Sequence, residues 1–332
     1  MPDSNSHDGV ILTSYPRSGN TLLRAYLEKI MGLVTGSDCD IDKKLNKELL
    51  HMGLSGEGLI DRRVWVIKTH YPERYGKTKF YAERCILCVR NPIDCITSLF
   101  NMVCTGTHNR SIDLGDYSKY KEMWTEFVEQ EITVWKDFHD FWIKAKIPVH
   151  IVRYEDITKN PKPTLMGVLK FILNEKDLSN TRIEKYIDLA TGEKSPEIYK
   201  PRLGAHKSNA EKFTPKHLEF MLHYAKELIA NLGYERTYAP EEGKQGGEGE
   251  MGSGFLEKFN EESWKKSVFA EKESEDITSI FINYPALLLR KKSVLYPEGR
   301  TSYRFKKALR KKVTVNGGGG LEKEEPESAA SS

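Results

Sequence analysis

The stretch ILTSYPRSGNTLLRAYL, Ile11 to Leu27, constrains the chain more than any other. Val10 to Tyr15 has the apolar and hydroxyl-bearing make-up of a strand buried in a parallel sheet. Leu22, Leu23, Tyr26, Leu27 and Ile30 then recur at close to 3.6 residues, the spacing of an amphipathic helix. Between strand and helix lies a tight corner, Tyr15-Pro16-Arg17-Ser18-Gly19-Asn20-Thr21. The first turn of a helix leaves N–H groups unbonded and carries a partial positive charge, so such a corner cradles an anion. Gly19 permits close backbone approach, Ser18 and Thr21 add hydroxyls, Asn20 an amide and Arg17 a fixed charge. The G-x-x-x-x-G-K-[ST] pattern of ATP and GTP hydrolases is absent. Taken alone, the corner is equally an ordinary capped turn.

Further strands are legible at Val64–Lys68, Cys85–Val89 and Pro148–Tyr154. Helical periodicity covers Pro92–Val103, Tyr117–Ile143, Lys162–Leu173, Thr181–Ala190 and Pro215–Leu232. Strand–helix alternation predicts a three-layer α/β/α fold around a central parallel sheet. Ligands of such sheets bind beyond the carboxyl ends of the strands, where the corner described above must sit.

Composition narrows the class. With 51 Lys and Arg against 48 Asp and Glu, the net charge of +3 points away from a bulk nucleic-acid role. No apolar run reaches the roughly 18 residues of a membrane span. The polar start MPDSNSHDG lacks the basic and apolar regions of a signal peptide. Five scattered cysteines read as reduced thiols, and a cytoplasmic location is the expectation. Cys85 and Cys88 lie within a strand and point to opposite faces, so they read as core thiols and not as a zinc pair. The stretch Asp38–Asp42 lacks the Gly and final Glu of a calcium loop and reads as solvated. The sequon at Asn109 reads as unused, and Trp135, Phe138, Phe141 and Trp142 as helix core.

The segment TSYPRSGNT resembles the 5′-phosphosulfate loop, T-Y-P-K-S-G-T-T-W, of sulfotransferases that use 3′-phosphoadenylyl sulfate (PAPS). Three more segments match that family in order: CILCVRNPIDCITSLFN its 3′-phosphate motif R-N-P-x-D-x-x-x-S, VHIVRYEDITKNPKPTLMGVLKFI its Y-E-D strand and helix, and RLGAHKSNAEKFT part of its R-K-G…F-T lid. The resemblance spans Val10 to Tyr234 and implies a P-loop-like sulfotransferase fold. It also implies PAPS as co-substrate, adenosine 3′,5′-bisphosphate (PAP) as product, and no metal.

By the same resemblance, Arg17, Ser18, Gly19, Asn20 and Thr21 hold the 5′-phosphosulfate, and Arg90 and Ser98 the 3′-phosphate. Tyr154 lies near the adenine or is simply core. Arg202 and Gly204 close the lid, with Lys207 as a substitute cation. Asp94 reads as a first-turn carboxylate with a structural role. In the segment IKTHYP, His70 occupies the family's catalytic place: a near-neutral imidazole can take the proton of an attacking hydroxyl. Lys68 and Arg17 would stabilise the leaving phosphate. Arg17 replaces the usual Lys and acts by charge alone, because a guanidinium keeps its protons. Leu22 replaces a Trp, Leu203 the Lys after the lid arginine, and Asn209 and Ala210 the Trp and Lys of the lid.

The domain reading is a flexible start at 1–8, a sulfotransferase domain over 9–236, a Gly- and Glu-rich linker at 237–254, an extension at 255–315 and a disordered tail at 316–332. Arg290–Lys312 holds ten Lys or Arg and one Glu, and reads as a solvated basic face. The acceptor, a small molecule or a glycan, is not legible; the loops at 32–63, 102–120 and 192–213 would shape it. Family members often pair as homodimers, though no dimer motif is legible. Two other readings stay open: a carbohydrate or protein-tyrosine sulfotransferase with a different base, and a non-catalytic module that binds PAP or PAPS.

Overall fold

The computed structural model describes residues 9–73, 76, 80, 82–108, 110–192, 209–238 and 253–269. Its centre is a five-stranded sheet in the order β2-β3-β1-β4-β5, formed by Val10–Ser14 (β1), Gly36–Ser37 (β2), Val66–Thr69 (β3), Arg84–Val89 (β4) and Val149–Arg153 (β5). Every neighbouring pair is parallel. The expected strands are therefore present, and the three-layer α/β/α expectation holds.

Parallel pairing puts laterally matched residues on the same face, and the apolar content of both faces explains the continuous hydrophobic strands. Val10, Leu12, Val66, Ile86 and Cys88 pack with α1 (Asn20–Met31), α7 (Pro161–Leu173) and α8 (Arg182–Gly192). Ile11, Cys85, Leu87, Val89 and Ile151 pack with α3 (Pro92–Thr105), α5 (Lys121–Ile143) and α9 (Pro215–Asn231). Cys85 and Cys88 thus belong to opposite layers, and Trp135, Phe138 and Trp142 are core residues. Three short helices link these elements: α2 (Lys44–His51), α4 (Leu114–Lys119) and α6 (Tyr154–Lys159). The helix expected over Tyr117–Ile143 is broken at Tyr120, so that Tyr117 can set its ring edge-on to Trp124 at 5.0 Å.

A further helix, Ser253–Phe269, comes from the stretch beyond the Gly-rich linker. It lies along the open side of β5. Asn260 Oδ1 accepts from the Ile151 N–H at 2.7 Å, and Asn260 Nδ2 donates to the Ile151 carbonyl at 2.9 Å. Ser263 Oγ accepts from the Val149 N–H at 2.5 Å. Residues three apart share a helix face, and residues two apart share a strand edge, so the two periods mesh. No helix among the described residues is long and apolar enough to cross a membrane.

β1 has β3 on one side and β4 on the other. Strand order reverses there, which opens a crevice beyond its carboxyl end. The loops after β1, β3 and β4 all deliver residues to it.

Candidate active site

The corner after β1 is held in a backbone shape that few sequences adopt. Arg17 has φ 71° and Gly19 has φ 103°, both left-handed. At Gly19 a Cβ would stand 2.7 Å from Tyr154 Cδ2, so no side chain fits. The Cys88 thiol donates to the Ser18 carbonyl at 2.9 Å and anchors the loop to β4. Asn20 then opens α1. Both amide atoms of Asn20 are buried without a hydrogen-bond partner among the described residues, and the Ser18 hydroxyl is buried beside them. Orphaned polar atoms beside a helix N-terminus fit a phosphate or sulfate group.

A second pole forms at the end of β4. Asn91 caps α3 by accepting from the Ile93 N–H at 3.1 Å, with Pro92 in the first turn. Arg90 donates from Nη1 to the Arg17 carbonyl at 3.0 Å. Its guanidinium lies 4.3 Å from the centre of the Tyr154 ring. Arg17 in turn donates from Nε to Ser98 Oγ at 3.0 Å. Its Nη1 meets His108 Nδ1 at 2.8 Å, and Nη2 donates to the His108 carbonyl at 3.1 Å. A guanidinium only donates, so His108 Nδ1 accepts. Arg90, Arg17 and Ser98 are therefore one connected set. Tyr154 is 4 % exposed and braces it from below, touching both Arg90 and the Gly19 position. Glu155 accepts from the Asn91 N–H at 3.1 Å and from the Tyr234 hydroxyl at 2.9 Å. Burial raises the Glu155 carboxyl above its ordinary range, while the Arg90 charge pulls it back.

The third contribution comes from the end of β3. His70 Nδ1 lies 2.7 Å from the Ser14 carbonyl. A carbonyl can only accept, so Nδ1 carries the hydrogen, and in the neutral ring the lone pair lies on Nε2. Lys68 pairs laterally with Leu12 and shares the α1 face. Burial lowers its pKa, and Glu57, Asp38 and Cys39 act in the opposite direction. Asp38 and Cys39 depart from the solvated loop expected of them. Asp38 is 9 % exposed and accepts from the Thr69 hydroxyl at 2.6 Å, while the Cys39 thiol donates to Glu57 Oε2 at 2.7 Å.

Glu57 is a residue that the sequence alone does not single out. It follows Gly56 in a loop without periodicity, yet its side chain is wholly buried and ion-paired to Arg24. Burial by itself would raise the carboxyl. Arg24 and Lys68, together with donors from Cys39 and Arg24, bring it down to about 2. Arg24, off the apolar stripe of α1 yet 1 % exposed, is the charge whose burial demands such a partner.

Arg202, Gly204 and Lys207 lie outside the described residues. The chain reappears at Asn209, whose amide donates to Asp94 Oδ1 at 2.6 Å while Lys212 donates to its carbonyl oxygen at 2.8 Å. Asp94 thus ties the far end of that segment to the first turn of α3, a structural role as read from the sequence.

These elements define a class: a parallel α/β protein of P-loop-like architecture, with polar and charged groups gathered at the switch point of its sheet. The model of the sulfotransferase domain matches residues 7–214, and the chain belongs to that family. A WSCD family member from Aedes aegypti is 34 % identical over 176 residues, 51 % of each chain. Another from Drosophila melanogaster is 30 % identical over 163 residues, 48 % of this chain and 49 % of its own. Sulfotransferase 1 family member D1 of Mus musculus is 23 % identical over 197 residues, 54 % of this chain and 63 % of its own. The chain spans about half the length of the WSCD relatives it matches.

Proposed function

We propose that the protein transfers a sulfuryl group from PAPS to a hydroxyl or amine of a small-molecule or glycan acceptor. One observation supports the reading: the loops after three strands carry the buried, unpartnered Asn20 amide among the described residues, a linked Arg90–Arg17–Ser98 set, and His70 with its Nδ1 against the Ser14 carbonyl. Two anion sites flanking a base suit a donor with phosphate at both ends of its ribose. Ser18, Gly19, Asn20 and Thr21 would hold the 5′ end, and Arg90 with Ser98 the 3′-phosphate. His70 Nε2 takes the acceptor proton as the oxygen attacks sulfur. The S–O bond to the phosphate breaks in line, and the electron pair leaves with PAP. Positive charge at the bridging oxygen lowers the barrier. Arg17 donates to Ser98, the residue read as a 3′-phosphate ligand, so on this reading Lys68 is the cation for the bridging oxygen.

Calorimetric titration with PAP and with ATP tests the donor. Charge-assisted contacts to a 3′-phosphate are worth roughly 1.5–3 kcal/mol, so PAP should bind at least about tenfold more tightly than ATP. Equal affinity, or no heat with PAP, overturns the reading.

A further inference from the structure

The β2–β3 register pairs Ser37 with Lys68, so both side chains leave the sheet on the α1 face. Ser37 Oγ donates to Glu57 Oε2 at 2.8 Å, which brings the Glu57 carboxylate onto that same face, where its charge acts through space on Lys68. Arg24 of α1 and the Cys39 thiol complete the cage around the carboxylate. One step along the pairing, Asp38 binds the hydroxyl of Thr69, and the Asp38 N–H donates to the Lys68 carbonyl at 3.1 Å. The backbone of Lys68 is thus clamped by the segment that supplies its neighbouring charges.

We propose that Glu57 is a positioning residue for Lys68: its caged carboxylate holds the ammonium protonated and fixed at the end of β3, next to the phosphate loop. The proposal rests on the reading of Lys68 given above and extends it to a residue that touches no substrate. Burial works against a charged lysine, and a fixed anion on the same face counters it. Arg24 is what keeps that anion ionised. Without it, Glu57 and Lys68 would be free to exchange a proton and leave a neutral amine where a cation is needed. The groups that act on the ammonium are Arg24 from α1, Asp38 and Cys39 after β2, and Glu57 from the loop before β3. Among the carboxylates, Glu57 exerts the larger pull.

The test is PAP affinity as a function of pH, from about 7.5 to about 10.5, a window in which the nucleotide's phosphates are fully ionised and lysine titrates. For the unaltered protein, affinity should fall on an alkaline limb, and Lys68→Met should abolish that limb. Glu57→Gln should bind PAP normally at the lowest pH and move the limb down by at least about one pH unit, because an adjacent opposite charge shifts a pKa by roughly that much or more. Glu57→Gln strands the Arg24 charge and could unfold the chain, so a second variant, Arg24→Met with Glu57→Leu, replaces the ion pair by apolar volume and should show the same direction of shift. Coincident limbs in the unaltered protein and both Glu57 variants overturn the proposal, as does a limb that survives Lys68→Met. No PAP binding by the unaltered protein removes the donor reading itself and the proposal with it.

Discussion

Gly19 and His70 show how single residues set the terms of this site. At Gly19 a left-handed backbone and the Tyr154 ring leave no room for a methyl group. Gly19→Ala should therefore destabilise the fold by about 1–3 kcal/mol in urea titration and weaken PAP binding in the same preparation. His70 is different: one ring nitrogen meets the Ser14 carbonyl, and the other is the proposed base. His70→Ala should keep PAP affinity within a few fold and reduce sulfuryl transfer by roughly a hundredfold or more. Turnover at the unaltered rate would remove His70 as the base. Both residues were legible in the sequence, since a turn glycine and a strand-end histidine stand in motifs that local pattern defines. Glu57 was not legible. Its carboxylate meets Arg24, Ser37 and Cys39, which lie well before it in the chain, and acts through space on Lys68 once β2 joins β3.

Elements divide along the same line. β1, β4 and β5 were visible because buried strands need unbroken apolar runs, and α1 and α7 because each buries one stripe. β2 is the two residues Gly36–Ser37, too short to show any period. α6 begins at Tyr154, where a β-branched strand pattern still continues, and only packing decides where the chain turns. The most consequential surprise is the helix Ser253–Phe269, which supplies side-chain hydrogen bonds to the exposed edge of β5. An open sheet edge invites pairing with other chains, and a covering helix removes that hazard. Asn260→Ala should cost about 1–3 kcal/mol of stability, because the bonds to Ile151 go unmade. Amide exchange at Ile151 should accelerate in parallel. An unchanged denaturation midpoint together with unchanged exchange would show that the helix does not hold this edge.

For the molecule as a whole, the buried His139 and the half-buried His150 predict how it fails in acid. His139, inside α5, and His150, on β5, are both brought down to about 4, chiefly by burial. In the unfolded chain each would titrate near 6.5. A depressed folded pKa means that the unfolded state binds the proton first, so stability is intact above pH 6.5 and is lost as pH falls from there toward 4. The denaturant midpoint should drop across that window. His150→Phe, which preserves the stacking on Phe171, should flatten part of the decline. A midpoint constant from pH 7 to 4.5 would contradict the assignment.

What the sequence determined by itself was everything carried by local order: the strand–turn–helix corner, the alternation that makes a parallel three-layer sheet, and the motif residues that follow each strand. Those features depend on neighbours within one or two turns, and chemistry imposes them wherever the chain goes. Tertiary structure alone decided that the corner, the β3 end and the β4 end meet at one switch point, that Arg17 faces Ser98 and His108, and that Glu57 sits beside Lys68. Such neighbourhoods are set by strand order and register, which bring together residues that are not adjacent in the chain.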